Sequence, residues 1–376
     1  MKKVFAIVLL LSMLGGLCAC TVGSPEYAAY GKYAVTENMY KYFLAYYKSS
    51  FYSFFSGYGL FDNEEYDENI WSESAEENGQ TLAEQVADYV DNQINEMLVS
   101  AKLYEKYENN DTKTLLEKTV NEFVDQDISA VGSRAELNSI LGQYDMNINT
   151  LRRVFELEAK ALIVDDKLFG DNGEYAVTDA EREAYYQANF SRVKHILIKN
   201  DVKYVLDDKG QPKMDIYTGK YVTEELTEDE KAEKLATANE ILEKAKNGES
   251  FEDLITEYNE DGGMATYKDG YFVTADTMLD TKYITAALTL GEGEVTLAET
   301  SYGLIIMKKY PLEEGLWKND INAAFFEDVD GDIKSEKKKD VYGKYYGEIT
   351  RYGADAKAMF PTVYPLDSRL TATYDE

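Results

Sequence analysis

The sequence predicts an α+β fold in which two helical flanks bracket a middle third of mixed strands and helices. Three observations predict it. Apolar residues recur at three- and four-residue steps up to about residue 190, short β-branched runs then alternate with helical patterns, and from about 313 the chain turns helical and charged again. With 376 residues, 44% of them hydrophobic, there is room for two or three domains with buried cores. The 39 Lys and Arg stand against 70 Asp and Glu, a net charge of −31. That balance excludes the cationic surface on which nucleic-acid affinity depends. A single His excludes a multi-histidine metal site, and no cofactor is expected.

The N-terminus reads as a targeting segment. Lys2 and Lys3 precede an apolar run, Val4 to Leu14, broken only by Ser12. At about 11 residues it falls short of the roughly 20 that span a bilayer, but it suits a secretory signal. The next residues, Leu17-Cys18-Ala19-Cys20, resemble a bacterial lipobox. Residues 1–19 would then be removed and Cys20 would become a lipidated, palmitate-type N-terminus at the extracytoplasmic face of the cell membrane. Each buried methylene of such an anchor contributes about 0.8 kcal/mol. Ordinary signal cleavage nearby is the alternative. Cys18 and Cys20 are the only cysteines, so no disulfide joins distant segments.

Residues 20–190 open with a tether at 21–33 and continue as helices. Tyr40, Phe43, Tyr47, Phe51, Phe54 and Tyr58 form one stripe; Val86, Val90, Ile94, Met97, Ala101 and Tyr104 form a second. Leu116, Val120 and Phe123, then Leu151, Val154 or Phe155 and Leu162, make shorter ones. Ser133-Arg-Ala-Glu136 and Thr178-Asp-Ala-Glu181 have capping-box spacing. Aromatic stripes of this kind build a core; a surface cluster gripping unfolded chains is the alternative that 32 tyrosines keep open.

After Phe190 the period changes. Val193 to Lys199, Tyr271 to Val273, Val295 to Leu297 and Leu304 to Met307 read as strands, the last two pairing antiparallel. Thr227-Glu-Asp-Glu230 opens a helix closed by Asn247-Gly248, Ser250 opens a shorter one through Tyr258, and a third covers Thr281 to Leu290. Residues 200–226 read as a hairpin excursion in which lysines alternate with aspartates, so no phosphate-binding cluster forms. Asp328-Val-Asp-Gly-Asp332 has its Gly at the wrong offset for a calcium loop and reads as solvated charge.

The pieces of 191–312 resemble the parvulin-type peptidyl-prolyl isomerases. The resemblance is carried by Val193-Lys-His-Ile-Leu-Ile198, Ala238 to Asp261, Asp269-Gly-Tyr-Phe272, Ala286-Ala-Leu288, Leu290-Gly-Glu-Gly-Glu-Val295 and Tyr302-Gly-Leu-Ile-Ile306, in that order. Val177 to Tyr186 and Gly142 to Asn147 are similar to the flanks of PrsA-type and SurA-type foldases. The resemblance implies a parvulin-like (PpiC-type) domain at 191–312 built on a four-stranded antiparallel sheet. It would be inserted into a helical chaperone-like module made from 20–190 and 313–376. It places the catalytic positions on His195, Asp261 and Thr300, and the proline pocket on Met278, Tyr283 and Leu288. The family's second His falls on Ile305, which implies reduced turnover, and Asn259 replaces its usual Ser.

The expected function is a membrane-anchored foldase, a peptidyl-prolyl isomerase and chaperone for unfolded or newly secreted polypeptides. A holdase that binds chains without isomerising them is the first rival. A solute-binding lipoprotein is the second, and the long helical flanks argue against it. The sequence leaves a homodimer open.

Overall fold

The computed structural model describes residues 23–57, 68–73, 79–215, 217–352 and 356–371. The expected signal segment, Cys18, Cys20 and Tyr58 lie outside them. The chain divides into two compact units, residues 1–176 with 337–376, and residues 177–336.

In the first unit, strands β1 (Glu26–Tyr30) and β2 (Tyr33–Thr36) form a hairpin, and β9 (Thr350–Arg351) pairs with the other edge of β1. The stretch expected to be a tether is therefore a strand from Glu26 onward. Tyr27, Ala28, Ala29 and Tyr30 are all buried, so the polar alternation that marks a surface strand is missing. Gly31 turns the hairpin at φ +62°, a conformation that costs Gly nothing.

Five helices follow: α1 (Glu37–Gly57), α2 (Leu82–Tyr104), α3 (Asn110–Val131), α4 (Arg134–Gly142) and α5 (Ile148–Phe169). Their starts are chemically fixed. Thr81 and Glu84 form a reciprocal capping box on α2, and the Ser133 hydroxyl accepts the Glu136 N–H on α4. The second expected stripe, Val86 to Tyr104, is wholly buried. The first runs from core to surface: Tyr40 and Phe43 are buried, Tyr47 and Phe51 pack partly, and Phe54 is exposed.

The second unit begins with α6 (Asp179–Asn189), whose capping box uses Thr178 and Glu181. A sheet of order β6-β3-β8-β7 follows, built from β3 (Ser191–Ile198), β6 (Tyr271–Val273), β7 (Val295–Thr300) and β8 (Gly303–Tyr310), antiparallel throughout. The hairpin excursion carries β4 (Val202–Tyr204) and β5 (Thr223–Glu225). Helices α7 (Glu228–Lys246), α8 (Phe251–Tyr258), α9 (Gly263–Thr266) and α10 (Thr281–Thr289) complete it, and α11 (Val329–Tyr342) crosses the boundary between the units. The two-residue period of β3 and β8 sorts their side chains. Ile196, Ile198, Leu304 and Ile306 meet α7 and α8, whereas Val193, Leu197, Ile305 and Met307 meet Tyr283 and Ala287 of α10.

The unit extends beyond the 191–312 stretch. Tyr186 of α6, fully buried, lies 6.0 Å from the Phe272 ring and 5.6 Å from Phe326, with Phe190 4.9 Å from Phe326. Arg182 donates to both oxygens of Asp330, at 2.6 and 2.7 Å, and Tyr185 donates to Asp332. The acids at 330 and 332 are thus occupied by their own unit.

Candidate active site

His195 stands on β3, on the face that meets α10, and is 4% exposed. Three local arrangements surround it. The first arises because β6 is short. It pairs with β3 only at Ser191, Arg192 and Val193, and Gly270 then turns the chain away at φ +104°. A Cβ at Gly270 would stand 2.6 Å from the Val193 carbonyl oxygen, so the close approach requires Gly.

The strand edge beyond Val193 is taken by the segment after α8. Asn259 Oδ1 accepts the Leu197 N–H at 2.9 Å, Glu260 N donates to the Leu197 carbonyl at 2.9 Å, and the Glu260 carboxylate accepts the Lys199 N–H. Asn259 also braces its own turn, accepting from Asp261 N and donating to the Asp261 carbonyl. This clip brings Asp261 to the imidazole: Nε2 of His195 is 3.1 Å from Asp261 Oδ2.

The third arrangement sets Tyr283. Asp280 caps α10 and also accepts the Ser301 N–H from the β7–β8 turn, while Ser191 Oγ donates to the Ala287 carbonyl at 2.6 Å. With the helix so anchored, the Tyr283 hydroxyl lies 3.0 Å from His195 Nδ1. Tyr271, first residue of β6, completes the group by donating to Asp261 Oδ2 at 3.0 Å. Its ring and that of Tyr283 meet the imidazole edge to face, at 5.1 and 5.4 Å.

The electrostatics follow from these contacts. The His195 hydrogen bond is the largest influence on Asp261, and with the Gly263 N–H and the Tyr271 hydroxyl it holds the carboxyl far below the usual carboxylate range, against the effect of burial. Burial and the Asp261 charge push the Tyr271 phenol up, and burial pushes Tyr283 well above its ordinary value. Both phenols therefore remain donors. An ionised Asp261 accepts only, so Nε2 of His195 donates to it. Both ring nitrogens are thereby engaged, Nε2 by Asp261 and Nδ1 by the Tyr283 hydroxyl. The side chain of Asp261, 24% exposed, is the charged member that faces outward.

Of the residues expected from the sequence, His195, Asp261 and Tyr283 come together. Tyr283, at 2% exposure, offers almost no surface to a ligand, so its part is in the hydrogen-bond network and not in an apolar wall. Met278 is 77% exposed, and Leu288 projects from α10 beside the inward-facing Ala287 at 37% exposure; neither enters the buried cluster. Thr300 is also outside the network: its hydroxyl donates to the Gly303 carbonyl and accepts from Tyr302 N, bonds that close the β7–β8 turn. Ile305 is buried and pairs with Leu197, on the same sheet face as His195. Tyr271 and Asn259, to which the sequence assigns no role, join the network from within the motif segments.

Residues 183–310 match the PPIC-type PPIASE domain. The chain thus carries a PPIC-type (parvulin) domain, and the His195 cluster lies inside it. No curated protein matches the chain. Among solved structures, it is similar to PrsA from Bacillus subtilis at 19% identity, covering 81% of this chain and 97% of that one, with a TM-score of 0.24. PrsA from Bacillus cereus is similar at 18% identity over 83% and 97%, TM-score 0.29. The foldase protein PrsA from Streptococcus pneumoniae is similar at 17% over 75% and 94%, TM-score 0.23.

Proposed function

We propose that this chain is a membrane-tethered, extracytoplasmic peptidyl-prolyl isomerase and foldase acting on unfolded, newly secreted polypeptides. The observation that carries the reading is the buried imidazole held between Asp261 and Tyr283 inside the PPIC-type domain. Rotation about an X–Pro bond meets a barrier of about 18–20 kcal/mol because resonance places positive charge on nitrogen and negative charge on oxygen. A fixed carboxylate beside the carbonyl oxygen disfavours that charge-separated form and so favours the twisted imide. His195, Tyr271 and Gly263 hold Asp261 in that role; Met278 and Leu288 supply exposed apolar surface for the prolyl ring. The reaction requires no covalent intermediate. Exchange spectroscopy on an Ala-Pro peptide tests it: micromolar protein should accelerate cis–trans exchange, and an unchanged rate would remove the enzymatic reading.

The holdase reading is favoured by one observation, the apolar Ile305 where the resemblance expects a second His. A chain that prevents client aggregation without accelerating exchange would establish it. The tether is supported by the Leu17-Cys18-Ala19-Cys20 pattern. Incorporation of an alkyne-labelled fatty acid during growth, lost in Cys20→Ser, is its expected signature; equal labelling of the variant would contradict it.

A further inference from the structure

The helical unit holds an open cavity of about 460 Å³ where the β1–β2 turn, the end of α2, the first turns of α3 and the middle of α5 meet. Four cations line it: Lys32 from the turn, Lys113 from α3, and Arg153 and Lys160 from α5. Two acids, Glu108 and Glu156, share the wall. In a chain of 39 basic and 70 acidic residues, that is a local inversion of sign.

Lys160 is the buried member. It is 6% exposed, and its ammonium lies 4.8 Å from the Tyr33 ring and 5.7 Å from the Tyr104 ring. Glu156, one turn back on α5 and half exposed, meets it at 2.5 Å. Little solvent screens a cation so placed, and its attraction for a further anion persists. Glu108 shows where the cations converge. Lys113 pairs with it at 2.7 Å, and Lys113, with Lys32 and Lys160 beyond it, holds the Glu108 carboxyl below its ordinary value. One exposed carboxylate thus serves three ammonium groups. Lys32 also reaches Glu105 at 3.3 Å, an acid that Lys102 shares. Arg153 has no acid partner among the described residues. The Tyr104 hydroxyl, buried in the same wall and near enough to act on Lys113, has no hydrogen-bond partner among them either. A buried donor left unpaired is costly, and an anion supplies the acceptor.

We propose that this cavity binds a phosphate group, held by Lys32, Lys113, Lys160 and the Arg153 guanidinium in the place that the Glu108 carboxylate now takes. Cationic heads arriving from three elements suit a tetrahedral oxyanion better than a planar carboxylate, and the guanidinium fork matches two of its oxygens. A phosphate monoester brings about −1.5 to −2 charges at pH 7, more than the carboxylate it displaces. A soluble phosphate ester and a phospholipid headgroup share this chemistry. The inference concerns the helical unit and rests neither on the isomerase reading nor on the anchor.

Calorimetric titration of the full chain with inorganic phosphate at low ionic strength tests it. Phosphate should bind saturably and about tenfold tighter than acetate. Arg153→Gln, at an exposed position, and Lys160→Met should each weaken binding about tenfold with unchanged far-UV spectra, and Glu108→Gln should tighten it several-fold. Lys118→Gln, outside the cavity, should leave it unchanged. Competition separates the sources. Displacement of phosphate by glycerol 3-phosphate and by phosphatidylcholine vesicles containing phosphatidic acid assigns a lipid headgroup. Displacement by glycerol 3-phosphate alone assigns a soluble ester, and displacement by neither assigns free phosphate. Absence of saturable phosphate binding, equal affinity for acetate, wild-type affinity in Arg153→Gln, or weaker binding in Glu108→Gln overturns the proposal.

Discussion

Asp261 receives three donors on its two oxygens, from His195, Tyr271 and Gly263 N. A group whose folded pKa is depressed contributes stability that is present above its unfolded value, about 3.9, and is lost as pH falls toward the folded value. Asp261 should therefore stay ionised across any ordinary assay range, and acid should remove its contribution only below about pH 4. Tyr271→Phe deletes one donor. A hydrogen bond to a charged group is worth about 1.5–3 kcal/mol, but two donors remain, so we expect kcat/KM to fall by about tenfold or less. A wild-type kcat/KM in Tyr271→Phe would show that Tyr271 does not act on Asp261.

At the scale of elements, the site depends on a strand that stops early and a turn that takes its place. Gly263 opens α9 against that turn, and a Cβ there would meet the Tyr271 hydroxyl at 1.8 Å and Asp261 Oδ2 at 3.0 Å. Gly263→Ala must displace Tyr271 or the turn. Isomerase activity should fall by more than in Tyr271→Phe, while thermal unfolding shifts by only a few degrees; wild-type activity in this variant would contradict the geometry. Much at this scale was legible in the sequence. Thr178, Thr227 and Ser250 cap helices where their spacing predicted, and Gly248 ends α7 at φ +91°. His195 and Asp261 were legible through motif order. Tyr271 and Asn259 were not, because what a hydroxyl or amide bonds to is decided by how strands end and turns cross, and no local period encodes that. Met278 and Leu288 are apolar by type, and the turn before α10 and the outer face of α10 carry them to solvent. β1 was missed because four consecutive buried residues show no alternation.

For the whole molecule, the two units place the sheet domain's limits at 177 and 336. Tyr186, Phe190, Phe272, Phe325 and Phe326 form one aromatic cluster within those limits. Removing a buried aromatic side chain costs about 3–5 kcal/mol, comparable to much of a small domain's stability. A fragment of 177–336 should therefore unfold cooperatively on heating and retain isomerase activity. A fragment of 191–312, which loses Tyr186, Phe190, Phe325 and Phe326, should show no cooperative transition. Equal melting temperatures for the two would refute the boundary.

The most direct measurement is the cis–trans exchange rate of a prolyl peptide with wild-type protein, His195→Ala and Asp261→Ala, each checked for an intact far-UV spectrum. The buried network predicts clear acceleration by the wild type and at least a tenfold loss in both variants, about 1.4 kcal/mol of transition-state stabilisation. Folded variants that match the wild-type rate would contradict it, as would a wild type that does not accelerate exchange at all.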